Sequence, residues 1–178
     1  FYLEARFDDA EAVTSWYLCN WPQGDGYSTI YDQLLSGAWT EPVGAAAIVP
    51  DGTLRTYILQ RYDANGDGYL SEEERNAVTE ILVDKYHDIS SMKGIEYFPN
   101  LEKLMCDENM IRELDIRFNP NLRILTFNSN RVSQIDLTQN TKLTELYCSD
   151  NQLTQLDVSR NPELIALVCD YNQLTGLN

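Results

Sequence analysis

FPNLEKLMCDENMIRELDIRF (98–118), NPNLRILTFNSNRVSQIDLTQ (119–139), NTKLTELYCSDNQLTQLDVSR (140–160) and NPELIALVCDYNQLTGLN (161–178) follow one another without a gap. They share N-x-x-L-x-x-L-x-C-x-x-N-x-L-x-x-L-D-V, so the period is 21 residues. A fixed period of this length is the signature of a solenoid, in which each unit buries its apolar side only against its neighbours. Leu104, Leu125, Leu146 and Leu167 alternate with Cys106, Phe127, Cys148 and Cys169. That period-2 pair predicts a short strand with both residues turned inward. Stacking then gives a parallel sheet with strands ~4.8 Å apart. Asn109, Asn130, Asn151 and Asn172 form another column. The chain must turn after each strand, and an Asn amide can satisfy the buried backbone groups of that turn. Ile111, Val132, Leu153 and Leu174 return to the core, and Leu114, Ile135, Leu156 and Leu177 close it.

The columns define a leucine-rich repeat, an α/β solenoid. They also resemble the cysteine-containing 21-residue repeats of bacterial internalin-like surface proteins. NxxL, LxC, the Asn column and the trailing LDV or LDL carry the resemblance over residues 98–178. Phe127 stands in place of Cys, and Phe118 and Gln139 depart at the repeat ends. The resemblance implies a cell-surface or secreted bacterial protein that binds other molecules.

Upstream, residues 63–74 read DANGDGYLSEEE. This satisfies the EF-hand pattern D-x-[DN]-x-[DN]-G-x5-E. A cation of calcium's size takes ~6–8 oxygens in a flexible cage. Asp63, Asn65 and Asp67 would supply side-chain oxygens, Tyr69 its carbonyl, Ser71 a water and Glu74 both carboxylate oxygens. Gly68 allows the sharp turn, and Leu70 is the inward aliphatic. Leu54, Tyr57, Ile58 and Tyr62 share one helical face before the loop. Ser71 and the three glutamates after it suit the start of a helix. A lone hand of this kind suits a structural Ca2+ rather than a switch. Residues 50–101 further resemble the EF-hand-like cap that precedes the repeats of internalin-like proteins. Thr79–Val83 reads as the first strand of a degenerate repeat, continued by Ile89, Met92 and Ile95. Three segments follow: an aromatic-rich stretch 1–49, an EF-hand cap with a degenerate repeat 50–97, and about four repeats 98–178, the last incomplete.

Residues 1–49 hold Trp16, Trp21 and Trp39. Helices are expected over Ala10–Cys19 and Thr29–Leu35, with extended chain from Trp39 to Pro50. Clustered aromatics suit either packing or a carbohydrate-stacking surface.

The formal charge is −15, from 28 acidic and 13 basic residues. It divides as −6, −5 and −4 over residues 1–49, 50–97 and 98–178. Such a balance opposes nucleic-acid binding, which rests on Lys and Arg. No apolar run approaches the ~20 residues of a membrane span. No secretory signal is visible, and the start at Phe1 and the stop at Asn178 within a repeat suggest a piece of a longer protein. Cys106, Cys148 and Cys169 fall on the repeat period, as core positions do. Cys106 and Cys148 would lie roughly 10 Å apart, too far for a bridge. A bridge between Cys148 and Cys169 stays open. No CxxC or Cys/His cluster points to zinc.

No nucleophile motif, phosphate loop or dinucleotide fingerprint is present, and the single histidine is His87. The chain is therefore expected not to be an enzyme. The binding surface is expected on the concave sheet face, from residues alternating with the inward ones. These are Lys103, Met105 and Asp107, then Ile124, Thr126 and Asn128, then Glu145, Tyr147 and Ser149, then Ala166, Val168 and Asp170, with the first two of each set as the expected contacts. The leading expectation is an extracellular or cell-surface module, free or lipid-anchored, that takes a protein or carbohydrate ligand and holds one structural calcium. The alternatives are a non-catalytic fragment of a larger secreted enzyme and a calcium-dependent structural or adhesion protein.

Overall fold

The computed structural model describes residues 2–7, 13–19 and 48–176. The chain forms two compact units, Phe1–Glu41 and Pro42–Asn178. In the first, β1 (Tyr2–Phe7) pairs antiparallel with β2 (Val13–Cys19). Tyr2 faces Cys19, and the register slips between Arg6 and Phe7. The helix expected over Ala10–Cys19 is thus a strand from Val13 onward. Val13, Thr14, Trp16 and Tyr17 are β-branched or aromatic types that favour a paired strand over a helix. The helix expected at Thr29–Leu35 and the extended stretch before Ile48 lie outside the described residues.

In the described part of the second unit, α1 (Gly52–Tyr62) is followed by a loop and α2 (Glu72–Ala77). Five parallel strands follow in chain order: β3 (Glu80–Leu82), β4 (Lys103–Met105), β5 (Ile124–Thr126), β6 (Glu145–Tyr147) and β7 (Ala166–Val168). Their register is unbroken, with Ile81, Leu104, Leu125, Leu146 and Leu167 side by side. Among the described residues each repeat returns through turns, so its helices lie only in the cap.

The Asn column does what its chemistry allows. The Asn130 amide donates to the carbonyls of Cys106, Phe127 and Asn128 at 2.9–3.1 Å, and its oxygen accepts from Ile111 N at 3.0 Å. Asn109, Asn151 and Asn172 repeat the same four bonds one layer apart. The residue before each Asn, namely Glu108, Ser129, Asp150 and Tyr171, has a positive φ of 53–56°. A non-glycine residue rarely adopts that conformation. The asparagine's bonds on either side of the turn hold it there.

One core runs from the cap into the repeats. Ile48, Val49, Leu54, Ile58, Leu70 and Val78 are buried with Ile81, Ile89, Met92 and the repeat columns. The Asp51 carboxylate ties them together. It caps α1 at Thr53 and Leu54 and also accepts from the backbone N–H and hydroxyl of Ser90. At Gly94, with φ 112°, an added Cβ would lie 2.5 Å from the Ile48 carbonyl oxygen. Only glycine lets residues 48–49 pack this closely.

The cap also closes the sheet edge. An edge strand leaves unpaired N–H and C=O groups. Here the Tyr57 hydroxyl accepts from Leu82 N at 3.0 Å, and the Tyr62 hydroxyl donates to the Glu80 carbonyl. Two tyrosine tips stand in for a missing strand.

Candidate functional site

The strands bring the expected binding residues together on the sheet face opposite the core, the concave face of the sequence reading. The middle row is Leu82, Met105, Thr126, Tyr147 and Val168, each beside the next. Beside it run Glu80, Lys103, Ile124, Glu145 and Ala166. Lys103, Met105, Ile124, Glu145, Tyr147 and Ala166 are half-buried, and Val168 is exposed. Thr126 departs from the exposure expected of it and is only 6 % exposed. It is the short side chain between Met105 and Tyr147, and it is closed to solvent there. The Tyr147 hydroxyl lies 3.3 Å from the Glu145 carboxylate.

The third residue of each strand's set, Asp107, Asn128, Ser149 and Asp170, continues a row that starts at Asp84. Asp84 accepts from Asp107 N at 3.0 Å, Asp107 from Asn128 N, and Asn128 from Ser149 N at 2.8 Å. Each oxygen thus holds the next layer. Burial pushes the Asp107 carboxyl above its ordinary range, while donors from Asn128 oppose the shift and the Asp84 charge adds to it.

The thiols are packing groups. Cys106 and Cys148 are buried, and Cys106, Cys148 and Cys169 are all free. The Cys106 thiol donates to the Thr126 carbonyl at 3.3 Å. Burial, aided by the nearby Cys169, pushes the Cys148 thiol up to about 12. Such a thiol is a poor nucleophile at neutral pH. His87 is exposed in the turn after β3, with φ 66° and its N–H on the Glu108 carbonyl.

Loop 63–74 is a self-closed ring of oxygens. The Asp63 carboxylate accepts from the amides of Gly66, Asp67 and Gly68 at 2.8–3.2 Å. Asn65 accepts from Asp67 N, and Asp67 from Tyr69 N and the Asn65 amide. Gly66 and Gly68 have φ of 72° and 81°. Ser71 caps α2, and Glu74 returns to Ser71 N and also to Ala64 N at the other end of the loop. Leu70 is buried, as expected of the inward aliphatic. Among the described residues, no three His, Cys, Asp or Glu side chains gather at one point. Glu74 serves the cap and the loop backbone instead. The donors of Asp63, Asn65, Asp67, Tyr69, Ser71 and Glu74 are all oxygens, the type a hard cation takes.

A groove on the flank of the repeats is lined by Arg112, Arg117 and Arg131 together with Glu113, Asp115 and Asp136. Its signs balance, and Arg117 is spent on Asp115 at 2.8 Å.

The parallel ladder, the Asn column and the 21-residue period define a leucine-rich repeat fold. The family model described as leucine-rich repeats (2 copies) matches residues 120–161. The chain is similar to the functional domain of InlJ from Listeria monocytogenes, described as including a cysteine ladder. Identity is 36%, coverage is 76% of this chain and 30% of that one, and the TM-score is 0.71. The internalin InlF from Listeria monocytogenes strain 4b F2365 shares the fold at 23% identity, with 76% of this chain and 47% of that one covered and a TM-score of 0.55. The chain thus spans less than half the length of either. Comparison with curated proteins gives no match. No helix among the described residues is long and apolar enough to cross a membrane.

Proposed function

We propose that this chain is a non-catalytic interaction module of a bacterial cell-surface or secreted protein, and that it binds a protein partner across the outer face of its sheet. The observation that carries this reading is the row Leu82, Met105, Thr126, Tyr147 and Val168, in continuous register on the sheet face away from the core. An apolar stripe with polar neighbours is the composition of a partner surface. Similarity to listerial internalins supports the surface location. The test is a binding panel of extracellular proteins and glycans, probed with the labelled chain and with Tyr147→Ala and Met105→Ala. Both variants are expected to fold and to lose at least about 1 kcal/mol against any hit. Full retention of every hit by both variants would move the binding site off this face, and glycan hits alone would replace the protein partner.

Calcium belongs to the same reading in a structural role. Asp63, Asn65, Asp67, Tyr69, Ser71 and Glu74 would hold it. When bound, it would link the two ends of the loop that joins α1 to α2. The support is the oxygen-only donor set and the two left-handed glycines of the loop.

A further inference from the structure

The outer face is also charged, and with one sign. Its three rows hold five carboxylates, from Glu80, Asp84, Asp107, Glu145 and Asp170, against the single cation of Lys103. Among the described residues, Glu80 alone of these acids has an ion-pair partner, Arg61 at 3.2 Å. Asp84 and Asp107 stand in neighbouring layers along one edge of the apolar row, where the Asp84 oxygen accepts from Asp107 N. Glu145 stands on the other edge, beside Tyr147.

We infer that the partner segment is cationic and carries apolar anchors: an Arg- or Lys-bearing stretch of protein whose apolar side chains lie along the row at Met105 and Tyr147 and whose basic groups meet Asp84 and Asp107. The inference deepens the proposed reading and rests on it. Three observations point the same way. Met105 and Tyr147 stand in one register on either side of the short Thr126. Asp84 and Asp107 have no ion-pair partner among the described residues, so a basic group gains attraction that a neutral one does not. Burial holds the Asp107 carboxyl above its ordinary range with Asp84 adding to the effect, and an approaching cation would relieve that. The five strands span ~19 Å at their usual spacing, the length of about six residues of extended chain. A short linear segment is therefore enough to cover the row. A guanidinium suits paired carboxylates better than an ammonium, because its fork bonds both oxygens.

The experiment uses three fluorescent 12-residue peptides that share one Leu/Trp frame and carry Arg, Gln or Glu at every polar position. Binding to the whole chain is read by anisotropy at physiological salt. The Arg peptide is expected to bind at least about tenfold tighter than the Gln peptide, and the Glu peptide not at all. Combined Asp84→Asn and Asp107→Asn keep the oxygens that accept the backbone N–H groups, so the fold should hold, which circular dichroism checks. This pair should bring the Arg peptide down to the Gln level. Asp115→Asn with Asp136→Asn removes the same charge from the flank and should change nothing. Equal binding of Arg and Glu peptides, equal losses from the two Asn pairs, or no binding of the Arg peptide overturns the inference. Binding of the Gln peptide that Tyr147→Ala abolishes would leave the outer face a partner surface even then, so the two readings fail separately.

Discussion

The columns of single residues carry different weights, and their bonds say which. Asn130 holds three carbonyls and one N–H in a buried turn. A second asparagine column, Asn119, Asn140 and Asn161, is more deeply buried but makes fewer bonds. The Asn140 amide donates to the carbonyls of Ile116 and Asn119, while its oxygen has no partner. The same holds for the oxygens of Asn119 and Asn161. Removing a partner from a buried polar group costs more than a bond adds, but removing an orphaned acceptor recovers part of its desolvation. Asn130→Ala is therefore expected to cost about 3 kcal/mol and Asn140→Ala about 2 kcal/mol. Urea unfolding at neutral pH measures both, and a larger loss for Asn140→Ala would overturn this ranking of the columns. The first column was legible from sequence because an invariant residue type after a strand has one plain job. The second was visible in the repeat pattern, but its bonding was not. The face of Asp107, Asn128 and Ser149 was legible from the alternation, but the ladder that runs through them from Asp84 was not, because its members differ in residue type.

At the scale of elements, the cap shows how local signals and tertiary contacts divide the work. The capping box of Ser71 and Glu74, the glycine turns and the inward Leu70 follow from neighbours in sequence, and the structure has all of them. That Tyr57 and Tyr62 serve the edge of β3 does not, because nothing in the sequence says where two hydroxyls 25 and 18 residues away in the chain will land. The strand Val13–Cys19 was missed for the same reason: its partner β1, not its own period, decides it. If calcium binds loop 63–74, it tightens the joint between α1, which carries both tyrosines, and α2. Calcium at about 100 times its Kd then adds ~2.7 kcal/mol. For a unit of this size that raises Tm by roughly 6–10 °C. Glu74→Gln is the informative variant. A glutamine at this position still completes a capping box but has one acceptor oxygen where the carboxylate serves both Ser71 N and Ala64 N, so the Tm in EGTA should fall by only about 2–5 °C, the cost of one lost hydrogen bond. It offers a weaker oxygen to the metal, so the calcium-dependent rise should vanish. Thermal melts in calcium, magnesium and EGTA decide it, and an equal rise in parent and variant, or none in the parent, removes calcium from the loop.

As a whole, the second unit is a stack in which each layer touches only its neighbours, so stability should vary along it rather than rise and fall together. The middle layers are sealed: Leu122, Leu125, Phe127 and Val132 are fully buried. The layer of β7 is looser, with Leu164, Leu167, Cys169 and Leu174 only partly covered and Ile165 and Tyr171 more than four-fifths exposed. The two ends of the sheet are not equivalent. On the β3 side, Leu82 N is held by the Tyr57 hydroxyl and Val83 N by the Met105 carbonyl. On the β7 side, the amides equivalent to those of Cys106, Phe127 and Cys148, which donate to Thr126, Tyr147 and Val168, end at Cys169, whose N–H has no acceptor among the described residues. The period of the sequence shows the stack but not this asymmetry, because the repeats read alike while their neighbours differ. Amide exchange tests it residue by residue. Cys106, Phe127 and Cys148 should exchange at least about 100-fold more slowly than Cys169. Leu82, though on an edge strand, should group with the slow set. Exchange at Leu82 as fast as at Cys169 would mean that the tyrosine tips do not seal the edge. The stack would then open from both ends, and the cap would owe its place to the shared apolar core alone.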